Sequence, residues 1–143
     1  MTSHALATAV ATLHREAAAL YALIGREFGL TTQQAQLLCV LTSDRPSFSE
    51  LAITLGCDRT NVTGMIDRLE KRGLLARERD SEDRRVNRVT ATQEGEQLIA
   101  RLRERFAESV ADRFSRLTPE EHDRLAALAT ALTQGTAPSF NHH

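Results

Sequence analysis

The side chains best suited to grip another molecule lie between residues 59 and 88. Arg59, Thr60, Asn61, Thr63 and Arg68 fall in the run RTNVTGMIDRLEK, and Arg77, Arg84, Arg85 and Arg88 follow closely. A guanidinium offers a rigid fork of N–H donors that fits phosphate oxygens or the O6/N7 edge of guanine. An asparagine amide fits the edge of adenine, and threonine hydroxyls take phosphates or bases. In a helix starting near Arg59, burying Val62, Ile66 and Leu69 turns Arg59, Thr60, Asn61, Thr63, Gly64, Asp67 and Arg68 outward. A plain solvated helix face would show the same pattern. The second cluster separates the two readings, because Arg84, Arg85 and Arg88 sit on a loop-and-strand segment beside that helix. A narrow, negative minor groove would receive a guanidinium from there.

Such side chains work only if a scaffold presents them together. The run SELAITLGCDRTNVTGMIDRLEKRGLL joins two apolar-periodic segments at Gly56 and closes the second at Gly73. Gly56 can take the positive φ of a short turn, and Ala52 is small where two helices would cross closely. Leu51, Leu55, Cys57, Val62, Met65, Ile66 and Leu69 would fill their shared core. The run LLARERDSEDRRVNRVTAT then gives two short β-compatible segments around a charged loop. Helix, turn, helix and two-stranded ribbon together predict a winged helix-turn-helix over residues 31–91.

Charge distribution points the same way. The chain is formally −1, yet residues 59–88 hold nine Arg/Lys against six Asp/Glu. A modest basic patch on an acidic body suits sequence-directed binding better than indiscriminate polyanion binding. Asp80, Glu82 and Asp83 in the wing would repel phosphate unless they pair with arginines, and Asp83 is expected to orient Arg85.

The segment resembles the MarR family of bacterial transcription regulators. DSEDRRVNRVTATQEG (80–95) is similar to that family's wing: an aspartate, Asp-Arg-Arg, a strand, then Thr-x-x-Gly opening the next helix. MIDRLEKRGLLARERD (65–80) is similar to its recognition helix and first wing strand. Helix count, order and length fit along essentially the whole chain. Asn87 and Arg88 depart from the pattern, since an apolar pair is commoner there. The resemblance implies that Arg85 enters the minor groove with Asp83 supporting it, and that Arg59, Thr60, Asn61, Thr63, Arg68, Arg77, Arg84 and Arg88 complete a double-stranded DNA interface. It also implies a homodimer and a small aromatic or phenolic anion as effector, with His14, Arg15 and Tyr21 as lining candidates.

The rest of the chain reads as scaffolding for a mainly α fold with a small β-wing. At 143 residues the chain fits a single domain. Leu6, Val10, Leu13, Ala17, Leu20, Ile24 and Phe28 recur at three- and four-residue steps, predicting an amphipathic helix within 5–30. Thr31 with Gln34, and Ser47 with Glu50, form capping boxes, and Asp44-Arg45-Pro46 breaks the chain between them. Thr92 is a suitable N-cap for a helix bearing Leu98, Leu102, Phe106, Val110, Phe114 and Leu117. Thr118-Pro119-Glu120-Glu121 starts another, in which Leu125, Leu128 and Leu132 face one way until Gly135. The apolar stripes on 5–30 and 92–134 exceed what one small lobe can cover, so they are expected to pair two chains. The tail 136–143 is expected to be loose, its terminal His142-His143 pair being native or an added tag.

Other chemistries find little footing. No His-x-x-x-His or Cys-x-x-Cys occurs and His4, His14 and His122 are scattered, so neither a metal nor another cofactor is expected. Cys39 and Cys57 read as packing residues of a protein in a reducing cytoplasm rather than as a disulfide or thiol switch. No apolar run could span a membrane, and the first twenty residues lack the pattern of a secretory signal. No phosphate-binding glycine loop, dinucleotide turn or nucleophile elbow appears, which argues against an enzyme. The alternative to a ligand-released repressor is a winged module that binds protein, or DNA architecturally, without an effector. An interface selected for protein would present more apolar surface than Arg59, Asn61, Arg68 and the wing arginines do.

Overall fold

The computed structural model describes residues 1–134; the expected stop at Gly135 and the tail 136–143 lie outside the described residues. Six helices and one hairpin follow in the order α1 (His4–Phe28), α2 (Thr32–Val40), α3 (Phe48–Leu55), α4 (Arg59–Lys71), β1 (Leu75–Arg79), β2 (Asn87–Ala91), α5 (Gln93–Arg113) and α6 (Pro119–Thr133). The fold is a winged helix-turn-helix within a mainly helical chain. Its contacts divide it into two compact units, Met1–Phe106 and the residues from Ala107 onward.

Local chemistry sets most boundaries in the first unit. Thr31 and Ser47 each accept a hydrogen bond from the backbone N–H three residues on, and Gln34 and Glu50 answer in return. These capping boxes satisfy backbone donors that would otherwise be orphaned. Asp58 caps α4 by accepting from the Asn61 N–H at 2.8 Å. Gly56, at φ +66°, makes the left-handed turn between α3 and α4. Ile24, Leu37, Leu38, Ile66, Leu69, Leu75, Val89 and Leu102 are fully buried and hold α1, α2, α4, the hairpin and α5 on one core. Of the residues expected to fill the helix-turn-helix core, Leu51, Val62, Met65, Ile66 and Leu69 are buried, while Leu55 and Cys57 are partly buried against it.

The hairpin is antiparallel, pairing Arg77 with Val89, Glu78 with Arg88 and Arg79 with Asn87. The segment before α3 lies along its other edge: Ser47 bridges Arg88, and the Val89 N–H donates to the Pro46 carbonyl at 2.9 Å. The wing is thus sewn to the start of α3 as well as to its own partner strand. At its root, the Thr92 hydroxyl donates to the Gly73 carbonyl at 2.6 Å and accepts from the Gly95 N–H at 3.0 Å.

The second unit departs from expectation at one point. The apolar periodicity predicted one helix running through Phe114 and Leu117, but α5 ends at Arg113. Phe114–Leu117 instead form a turn in which the Leu117 N–H donates to the Phe114 carbonyl at 3.0 Å. Pro119 sets the outer limit, because the residue before a proline is pushed out of helical geometry and Thr118 cannot continue α5. The Phe114 carbonyl is meanwhile taken by the Leu117 N–H and the His122 ring. Thr118 then caps α6 with Glu121 completing the box.

Candidate nucleic-acid interface

The amino-terminal face of α4 is polar and open. Arg59, Thr60, Asn61 and Arg68 are exposed, and Thr63 is partly so. Asp58 fixes this end twice, capping the helix and accepting from the Asn61 side-chain amide at 3.3 Å. The Thr63 hydroxyl donates back to the Arg59 carbonyl at 2.9 Å. Arg59, Arg68 and Arg84 have no ion pair among the described residues. Their guanidinium groups are available to an incoming polyanion without first breaking a bond.

The wing tip presents Arg85 on a carboxylate cradle. Arg85 donates from Nε to Asp83 Oδ1 at 3.1 Å and from a terminal nitrogen to Oδ2 at 3.2 Å, while its backbone N–H also reaches Oδ1. The side chain is nonetheless 89% exposed. The fork therefore fixes direction without hiding the charge, and the Arg85 guanidinium holds the Asp83 carboxyl below the usual aspartate range.

Two of the expected interface arginines sit differently. Arg77 lies over the Phe48 ring, 5.4 Å from its centroid, and pairs with Asp67 and Glu70 of α4. It fastens the first wing strand to the carboxyl half of the recognition helix. Arg88 donates from Nε to Asp80 Oδ1 at 2.9 Å and from a terminal nitrogen to the Arg45 carbonyl at 3.0 Å, with Glu50 at 3.8 Å. Its side chain is only 18% exposed. The sequence departure at Arg88 thus binds the wing to the α3 edge by charge where an apolar side chain would do so by packing. Asp80, expected from the sequence to repel phosphate unless paired with an arginine, is paired with Arg88, which holds its carboxyl below the usual range. Glu50 and Arg45 carried no sequence signal for this role, since they lie about forty residues away along the chain. The register sets Arg88 opposite Glu78, so Asp80 meets it on the diagonal, two residues along, within reach of a long side chain.

The residues considered for an effector differ in their surroundings. His14 and Arg15 lie on the exposed first half of α1. Tyr21 is stacked on Phe106 with centroids 4.6 Å apart, and burial pushes its hydroxyl pKa up. A half-open cavity of about 350 Å³ lies elsewhere in this unit, walled by Thr42, Ser43, Arg45, Thr90, Glu96 and Arg103 among others. None of His14, Arg15 and Tyr21 lines it. Burial also raises both thiols, Cys57 with help from the Asp58 charge.

A recognition helix with an open polar amino terminus, flanked by an arginine-tipped wing, defines a DNA-binding transcription regulator of the winged helix-turn-helix class. Residues 30–87 match the family model described as MarR family. The chain is 32% identical over 108 residues to the uncharacterised HTH-type transcriptional regulator YhbI of Bacillus subtilis, covering 75% of this chain and 70% of that one. It belongs to the MarR family. It is also 32% identical over 84 residues to the transcriptional repressor MprA of Escherichia coli, covering 59% of this chain and 48% of that protein. It thus spans about half of MprA's length. Among solved structures, Bordetella bronchiseptica BpsR, described with regulation of its DNA binding by 6-hydroxynicotinic acid, superposes with a TM-score of 0.71 at 25% identity, covering 93% of this chain and 96% of that one. The family consists of transcription regulators rather than enzymes.

Proposed function

We propose that this regulator acts as a homodimeric repressor that reads a pseudo-palindromic operator and is released by a small organic anion. The observation that carries the DNA half is the pairing of an unencumbered α4 face with an Arg85 fork aimed outward by Asp83. Arg59, Thr60, Asn61, Thr63 and Arg68 enter the major groove, Arg85 enters the minor groove and Arg84 meets the backbone beside it. Arg77 serves from behind by holding the wing to α4. Repression is supported by the likeness to MprA, and an aromatic anion by the likeness to BpsR.

The dimer rests on apolar side chains exposed among the described residues. Leu6, Val10 and Leu13 are exposed on α1, and Leu128 and Leu132 on α6. A second copy would cover such stripes and place two recognition helices about 34 Å apart, one turn of DNA.

Selection of bound duplexes from a random pool, followed by titration of the winner across a salt series, tests this reading. An enriched inverted repeat is expected, with affinity falling steeply as salt rises because phosphate contacts release counterions. Arg59→Ala or Asn61→Ala should then cost about 1–3 kcal/mol and relax preference at the contacted base. Salt-sensitive binding with no enriched motif would favour an architectural role, and no binding would favour a protein partner.

A further inference from the structure

We infer that Arg88 and Asp80 are positioning residues for the minor-groove arginine, forming the middle of a hydrogen-bonded relay from the start of α3 to Arg85. The inference rests on Arg85 contacting DNA, as proposed above. The relay begins where Glu50 caps α3 by accepting from the Ser47 N–H, and where Arg45 turns its carbonyl toward the wing. Arg45 is the single non-glycine residue with positive φ (56°) among the described residues. A residue with a side chain rarely adopts that conformation, so the surrounding contacts must hold it there. Arg45 is held there at both ends: its guanidinium reaches Glu78 of β1 at 2.6 Å and its carbonyl accepts from Arg88.

Arg88 gathers these groups. Its fork spans the Arg45 carbonyl on one side and Asp80 Oδ1 on the other, with the Glu50 carboxylate beyond. The second oxygen of Asp80 accepts from the Asp83 backbone N–H at 3.0 Å. That bond closes the loop of the wing and sets where the Asp83 carboxylate stands. Asp83 in turn holds Arg85 by three hydrogen bonds. From the Arg45 carbonyl to Arg85 every link is a hydrogen bond of 2.9 to 3.2 Å, and Glu50 adds an ion pair at 3.8 Å. The Arg88 and Asp80 side chains are mostly shielded from solvent. Arg88 therefore acts on DNA through Asp80, Asp83 and Arg85 rather than by its own contact.

A relay and a direct contact respond differently to substitution. The selected operator duplex is titrated at fixed salt with the full chain carrying Arg88→Met, Arg88→Lys or Asp80→Asn, each alone and with Arg85→Ala. Thermal melting of every variant reports folding, and Asp80→Asn, which keeps shape and volume, serves if Arg88→Met is poorly folded. Arg88→Met and Asp80→Asn are each expected to lose roughly the factor that Arg85→Ala loses, and to add nothing in the Arg85→Ala background. Hydroxyl-radical protection in the minor groove should disappear with them, while protection of guanine N7 from dimethyl sulfate in the major groove persists. Arg88→Lys should not rescue binding, because one ammonium cannot span Asp80 and the Arg45 carbonyl as the fork does. Losses that add to that of Arg85→Ala, full binding by Arg88→Lys, or unchanged affinity in Arg88→Met would overturn the relay alone. An Arg85→Ala variant that binds as tightly as the parent would overturn both the relay and the wing contact it serves.

Discussion

At the scale of single residues, the wing solves a charge problem. Its tip carries Asp80, Glu82 and Asp83 beside Arg84, Arg85 and Arg88, and an unpaired carboxylate there would repel a phosphate backbone. Asp80 and Asp83 are each neutralised by an arginine, so their negative charge aims cations instead of opposing the ligand. This has a consequence in pH. Both carboxyls lie below their unfolded value near 3.9, with the arginine partner as the leading cause. A depressed folded pKa means the pairing contributes above the unfolded pKa and is lost only as pH falls through the folded one. The wing pairs should therefore stay intact from pH 8 down to pH 5. Carboxyl carbon shifts of Asp80 and Asp83, followed from pH 2 to 6, should show midpoints below 3.9; a midpoint above 4.5 would mean the pairs do not form in solution.

At the scale of elements, glycine positions show where helices have room and where they have none. Gly95 opens α5 against the Leu74 carbonyl oxygen, and a Cβ there would stand 1.9 Å from it. Backbone must move to admit any side chain, so Gly95→Ala should destabilise severely, by about 3 kcal/mol or more. Gly64 lies inside α4 with the nearest atom at 3.9 Å, the end of the flexible Arg68 side chain. Gly64→Ala should stabilise the free protein by about 1 kcal/mol, the usual helix-interior difference. Chemical denaturation of both variants decides the point, and a Gly95→Ala protein as stable as the parent would remove the close approach of α5 to the hairpin root. The capping boxes at Thr31, Ser47 and Thr118 were legible because they are local: a hydroxyl and a carboxyl or amide three residues apart suffice. The end of α5 was less so, since apolar spacing continues through Phe114 and Leu117 while the backbone already turns at Phe114.

At the scale of the whole molecule, the uncovered apolar side chains ask for a partner. Leu20 and Ile24 of α1 are buried, whereas Leu6, Val10 and Leu13, on the same periodic stripe, are exposed. A second copy is the occupant proposed above. Sedimentation at micromolar concentration should show a dimer, and Val10→Glu should shift it toward monomer while weakening operator binding. A parent protein that sediments only as monomer would rule that arrangement out. Among the described residues no helix is long and apolar enough to cross a membrane.

The sequence by itself determined the elements and the family. Periodicity of 3.6 and 2, caps and glycine turns act over a few residues, so α1 to α4, the hairpin and the outward face bearing Arg59 and Asn61 could be read from spacing. It also anticipated the Asp83–Arg85 fork, because those residues are two apart in one loop. Only the tertiary structure decided which arginines are free. Arg77 and Arg88 look like Arg59 and Arg84 in the sequence, yet folding brings Asp67, Glu70, Asp80, Glu50 and the Arg45 carbonyl to them. An arginine's availability depends on every acceptor within about 4 Å, and most of those acceptors come from distant parts of the chain.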